Sequence, residues 1–138
     1  MQNRKLVIQM ELPIQAYDID AMGIVSNLVY VRWFEDLRME FLNATYSLTE
    51  MMKSNITPIL MRTEVDYRKP LTIFDKPIGR CWLVESGNSS WEMAFEIKSG
   101  DKLYCKGIQK GCFFDLEKKK VTRIPQQLIS AIDRLIEP

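Results

Sequence analysis

Two carboxylates in one short loop are the groups in this sequence best placed to do chemistry. Asp18 and Asp20 lie in Tyr17-Asp18-Ile19-Asp20-Ala21-Met22-Gly23-Ile24-Val25-Ser26-Asn27, directly before a run with helical spacing. The unpaired N–H groups at a helix start create positive potential, which can polarise a carbonyl and stabilise the oxyanion developing on it. A carboxylate beside that start can attack an acyl carbon or deprotonate a water that does. Such a site performs acyl transfer with neither histidine nor metal. The competing reading makes both aspartates loop and cap residues that satisfy backbone N–H groups.

Composition narrows the alternatives. The 138 residues contain no histidine. That excludes Ser-His-Asp and Cys-His nucleophile systems, His-ligated zinc and every His-based acid or base. The three cysteines, Cys81, Cys105 and Cys112, are odd in number and lack CxxC spacing, so they read as sheet or core residues in a reducing, cytoplasmic setting. A net charge of +1 argues against nucleic acid as a partner. Residues 1–12 alternate polar and apolar types instead of running apolar, and nowhere is there a stretch long enough for a signal peptide or membrane span.

The remaining candidates are weaker. Ser89 and Ser90 have no base nearby in sequence but could hydrogen-bond a substrate. Tyr30 belongs to an aromatic stripe and is the member most able to reach a pocket. Arg62, Arg68, Lys69 and Arg80 could meet phosphates, or simply form a solvated face. The lysines of Glu117–Lys120 read as a soluble turn, and eight methionines as core filler or an adaptable pocket.

The elements that must position these groups follow from periodicity. Leu6, Ile8, Met10, Leu12 and Ile14 alternate as a half-buried strand does. Tyr30, Phe34, Leu37 and Phe41, flanked by Trp33, recur at helical spacing, with Ser26 or Asn27 as N-cap. On the wetter side Arg32 is spaced to pair with Asp36, and Glu35 with Arg38. A helical turn at 47–53 precedes strands near 59–68, 78–85, 91–98 and 103–114. In the first of these Ile59, Met61, Thr63, Val65 and Tyr67 share a face. Ser99-Gly100-Asp101 suits a tight hairpin, and Pro125 opens a last helix with Leu128, Ile132 and Leu135 on its apolar side. The expected architecture is α+β, one domain over 1–138, with a five-stranded antiparallel sheet wrapped around one long central helix. Its open strand edges call for oligomerisation.

The stretch Y-D-I-D-A-M-G-I-V-S-N-L-V-Y-V-R-W-F-E-D-L-R resembles the signature of the 4-hydroxybenzoyl-CoA thioesterase class of hotdog-fold acyl-CoA thioesterases. That pattern runs D-x-D-x-x-G-H-V-N-N-x-x-Y, then an aromatic pair and an acidic residue. Asp18, Asp20, Gly23, Val25, Asn27, Tyr30, Trp33, Phe34 and Glu35 fall on it. Pro58, Val65-Asp66-Tyr67-Arg68-Lys69-Pro70-Leu71, Ser89-Ser90 with Phe95, and Ile124-Pro125 are similar to its later course, so the likeness spans about residues 6–128. Ile24 stands where many members carry histidine, Ser26 where many carry asparagine, and Phe74-Asp75 replaces a common Gly-Asp turn.

The resemblance implies a hotdog fold, a homodimer or homotetramer with interfacial active sites, and hydrolysis of acyl-CoA without metal or organic cofactor. It assigns catalysis to Asp20 as nucleophile or general base. Carbonyl polarisation falls to the backbone near Asn27 and Ser26, with Tyr17, Asp18 and Gly23 supporting the loop. Tyr30, Ser89, Ser90 and Arg68 are left as substrate contacts. Two alternatives stay open: a non-catalytic acyl-CoA or acyl-ligand binder, motivated by Ile24 and Ser26, and an acyl-carrier-protein thioesterase. The hydratase branch of the fold relies on histidine and is set aside.

Overall fold

The computed structural model describes residues 6–136. The chain forms β1 (Ile8–Glu11), α1 (Asn27–Ala44), α2 (Leu48–Lys53), β2 (Ile56–Tyr67), β3 (Ile78–Ser86), β4 (Ser90–Ser99), β5 (Lys102–Asp115), β6 (Lys120–Thr122) and α3 (Gln126–Ile136). All pairings are antiparallel, and the sheet order is β1-β3-β4-β5-β2, with β6 added against the end of β5. This is the α+β hotdog architecture, a curled sheet around one long helix. The sheet has six strands because the short β6 continues it beyond β4, where five were expected.

The core is the seam between α1 and the sheet. Val29, Tyr30, Trp33, Phe34, Leu37, Phe41 and Leu42 are buried on the helix, so the aromatic stripe is core. They meet Cys81, Met93, Phe95 and Ile97 from the strands. Phe34 stacks on Phe95 with ring centroids 4.7 Å apart. Gly107 makes this approach possible, because a Cβ there would run into the Phe34 ring and lie 2.8 Å from the Glu64 carbonyl oxygen. Sheet and helix therefore specify each other through one missing side chain.

Three expectations need correction. β1 is shorter than the Leu6–Ile14 alternation, because Pro13 has no N–H to donate, and Leu12 N–H bonds Pro77 O at 3.0 Å where the ladder ends. In β2 the face set does not run unbroken. Leu60 pairs with Gly111 and Arg62 with Lys110, so Met61 is an extra residue with no partner on β5. That bulge shifts the phase. Ile56 and Leu60 pack on the core before it and Val65 after it, while Met61 is 71% exposed. Period 2 reads a strand correctly only up to an inserted residue. On α3, Leu128 and Ile132 are buried, but Leu135 is 49% exposed and belongs to the outer side.

Candidate active site

The segment between β1 and α1 folds back on itself. Asp20 N–H bonds Ile24 O at 2.8 Å, Ile19 and Val25 form an antiparallel bridge, and Ser26 N–H bonds Asp18 O at 2.9 Å. The result is a miniature hairpin with Asp20 at its tip and α1 leaving directly from its second arm. Gly23 sits in the tip with φ +80°, a left-handed conformation that residues with a Cβ rarely adopt, and its N–H bonds Asp20 O at 3.0 Å.

The two aspartates differ sharply in environment. Asp18 is 1% exposed. Its Oδ2 accepts from Gln15 N–H at 2.9 Å, and its Oδ1 accepts from Arg32 Nη2 at 3.0 Å. Both oxygens are engaged, which ties the hairpin's base to the second turn of α1. Asp20 is exposed, and only its Oδ1 is held, by Met22 N–H at 2.9 Å and more loosely by Ile24 N–H at 3.4 Å. Its Oδ2 has no hydrogen-bond partner among the described residues. A carboxylate fixed through one oxygen and open through the other is oriented yet still able to act as base or nucleophile. Arg32 was spaced for Asp36 but reaches Asp18 instead, since a buried carboxylate holds a guanidinium better than an exposed one does. The other expected pair, Glu35 with Arg38, is present.

At the start of α1, Ser26 adopts the N-cap backbone conformation, with no capping bond from its side chain. Its own N–H is already donated to Asp18 O, so it is not free to polarise a substrate carbonyl. The next two N–H groups, on Asn27 and Leu28, have no acceptor among the described residues. Both residues are exposed, Leu28 at 80%. Of Ser26 and Asn27, the two residues expected to present N–H groups here, only Asn27 leaves its N–H open, and the second open N–H belongs to Leu28.

Tyr67, at the end of β2, completes this end of the molecule. Its hydroxyl donates to Asn27 O at 2.9 Å, and its ring meets Tyr30 edge-on at 5.2 Å. Tyr30 in turn packs edge-on against Trp33 at 5.5 Å. Tyr30 is 2% exposed, and burial pushes its phenol up to about 12. Val25 N–H bonds Leu71 O at 2.8 Å, so the segment after β2 also grips the hairpin. Sequence reasoning assigned no role at the site to Tyr67. The available signal was its position as the last inward residue of β2, two residues past Val65.

The remaining candidates divide between the two ends of the sheet. Arg68 follows Tyr67 at the site end, with Nε 3.0 Å from Asp66 Oδ2 and its N–H on Tyr104 O. Tyr17 stands 81% exposed beside the hairpin. Ser89 and Ser90 lie elsewhere. Ser90 pairs with Cys112, whereas Tyr67 pairs with Cys105, and seven residues along β5 at roughly 3.4 Å each put them about 24 Å apart. Within one chain, Ser89 and Ser90 cannot join Asp20. Cys81 and Cys105 are buried, and burial pushes both thiols up to about 12, which keeps them protonated and unreactive at neutral pH. Among the described residues, no helix is long and apolar enough to cross a membrane.

With this geometry in place, the comparisons with known proteins are informative. A protein of Aquifex aeolicus (strain VF5), named as a candidate esterase, is 26% identical over 120 residues, covering 86% of this chain and 92% of that protein. Among solved structures, a 1,4-dihydroxy-2-naphthoyl-CoA thioesterase from Synechocystis superposes with a TM-score of 0.85 at 17% identity, over 96% of this chain and 99% of that one. The Staphylococcus aureus protein SAV2348, solved in complex with CoA, superposes at 0.87 and 12% identity, over 97% and 86% of the two chains. At those identities the superpositions establish the shared fold. Residues 14–132 match the family description directly and support thioester hydrolysis as the general chemistry. The chain belongs to the Thioesterase-like superfamily.

Proposed function

We propose that this protein hydrolyses an acyl-CoA thioester to the free acid and CoA, with Asp20 as the catalytic carboxylate. One observation carries the reading: among the described residues, a single hairpin delivers a carboxylate with one open oxygen to the same end of α1 at which two backbone N–H groups lack acceptors. The thioester carbonyl oxygen lies against those N–H groups, where the charge that develops on it is stabilised. Asp20 either attacks the carbonyl carbon, expelling the CoA thiolate, or takes a proton from the attacking water. An acyl-enzyme trapped in a single turnover distinguishes the first route from the second.

We further propose that the working form is a homodimer or a pair of dimers. The outer edge of β2 carries no partner strand among the described residues, although β2 is twelve residues long. Tyr17, Met22, Leu28, Met61 and Phe74 expose large apolar surface at that edge or the site end. Antiparallel pairing of two β2 edges sets residue 56 of one copy near residue 67 of the other. That arrangement carries the Ser89-Ser90 turn of a second copy toward the start of α1, where it can meet substrate. In this reading Arg68, at the same end, meets the CoA phosphates.

The test is free-thiol release from acyl-CoAs with short, long and aromatic acyl groups, with Asp20→Asn run in parallel. Turnover that falls about 10²-fold or more in a folded variant is the expected result. Undiminished turnover in Asp20→Asn would overturn the assignment.

A further inference from the structure

The hydrogen bond from Tyr67 to Asn27 is aimed at one peptide unit. The carbonyl of Asn27 and the N–H of Leu28 belong to the same amide, so a donor on that oxygen draws electron density toward it. The N–H at the other end becomes a stronger donor. In the first turn of a helix, a carbonyl ordinarily accepts from the N–H four residues on, and its second lone pair is open to a further donor. Here the Tyr67 hydroxyl takes that position at 2.9 Å, reaching across forty residues of sequence. Its own ring is held edge-on by Tyr30, which is 2% exposed and braced by Trp33. The donor is therefore fixed from the core, although Tyr67 itself is 44% exposed. Burial raises the Tyr67 phenol above its ordinary value, which keeps the hydroxyl protonated and donating across the neutral range.

We propose that Tyr67 is a positioning residue for the reaction: its hydroxyl orients and polarises the Asn27–Leu28 peptide, so that Leu28 N–H acts with Asn27 N–H as a two-donor oxyanion site. The inference rests on the thioesterase reading and deepens it by naming the second donor and the side chain that tunes it. Tyr67 does not touch the reacting atoms. Its effect should thus be smaller than the loss of an oxyanion donor itself, which is typically about 10²–10³-fold in kcat.

The test is Tyr67→Phe, which deletes the hydroxyl and keeps the ring against Tyr30. kcat is expected to fall about tenfold on an acyl-CoA that the natural protein turns over, with KM and the melting temperature nearly unchanged. The Leu28 amide proton resonance should move upfield, and more than those of Val31 or Arg32. The resonance is read without substrate. If the natural protein hydrolysed no thioester, the functional reading would fail while the Leu28 shift still decided the polarisation. An unchanged kcat overturns the proposal, and so does an unmoved Leu28 resonance. If Tyr67→Phe loses stability, kcat and the Leu28 resonance of both proteins are compared at a temperature at which both are fully folded. Equal kcat under those conditions also overturns it.

Discussion

Arg32 and Asp18 close an ion pair at 3.0 Å that joins the base of the hairpin to α1. The carboxylate is fully buried and the guanidinium half exposed. The pair fixes the angle at which the hairpin leaves the helix, and with it the position of Asp20. The two substitutions that break it are not equivalent. Asp18→Asn replaces an acceptor oxygen with an NH2 group facing either Gln15 N–H or Arg32, and is expected to destabilise by about 1–3 kcal/mol. Arg32→Met leaves the buried carboxylate with one donor, but water can approach from the exposed side, so about 1–2 kcal/mol is expected. Urea midpoints of the two variants measure both effects. A larger loss for Arg32→Met would mean that the guanidinium is the anchor.

Alkaline pH should weaken the fold in a defined window. Burial pushes the thiols of Cys81 and Cys105 and the phenol of Tyr30 up to about 12, from ordinary values of 9.0 and 10.0. Between those limits the unfolded chain gives up protons that the folded chain keeps. The stability is therefore fully present below about pH 9 and is lost as pH rises toward 12. Each group contributes a slope of up to about 1.4 kcal/mol per pH unit. Denaturant titrations at pH 8, 9.5 and 10.5 should show the decline, and Cys81→Ala should shallow it. At pH 8, an alkylating reagent should reach the partly exposed Cys112 before either buried cysteine.

Gly107 and Gly100 separate two reasons for glycine. A Cβ at Gly107 meets the Phe34 ring and the backbone of β2, so Gly107→Ala forces α1 off the sheet, at about 2–3 kcal/mol. Gly100 has open space but φ +64°, and Gly100→Ala is expected to cost about 1–2 kcal/mol through backbone strain alone. Melting temperatures rank the pair. A Gly107→Ala variant as stable as Gly100→Ala would show that the seam repacks more easily than its geometry indicates.

Much of this molecule was legible in its sequence, for identifiable reasons. The spacing of Tyr30, Phe34, Leu37 and Phe41 located α1, because one helix face meets one sheet and the period is unbroken. The four long strands alternate over most of their length, and Gly100 marks the β4–β5 turn. What escaped depended on non-local partners. Spacing offered Asp36 to Arg32, and nothing local could announce that Asp18 would be buried fourteen residues upstream. The loss of the Ser26 N–H to Asp18 O, and the bond from Tyr67 to Asn27, likewise exist only once the hairpin and β2 are folded together. The three residues of β6 are too few to carry a period.

The bulge at Met61 offers the sharpest test of how register is set in β2. Removing Met61 lets the ladder to β5 run without interruption, which improves local pairing. It also restores strict alternation, because Leu60 opposite Gly111 and Thr63 opposite Gln109 then stand two positions apart, so every residue of β2 keeps its face and its partner on β5. Ile56, Leu60 and Val65 all stay on the core. What the deletion removes is the local bend and extra twist that a bulge gives its strand, and it is expected to cost less than about 2 kcal/mol. Replacement of Met61 by serine keeps the count of residues and should change the stability of one chain by less than about 1 kcal/mol, since the side chain is mostly in solvent. Denaturation of the deletion and the substitution side by side settles the point. If the deletion alone lost about 3 kcal/mol or more, the bend at Met61 would be what fits β2 to the curled sheet, beyond the register its pairs with β5 already set.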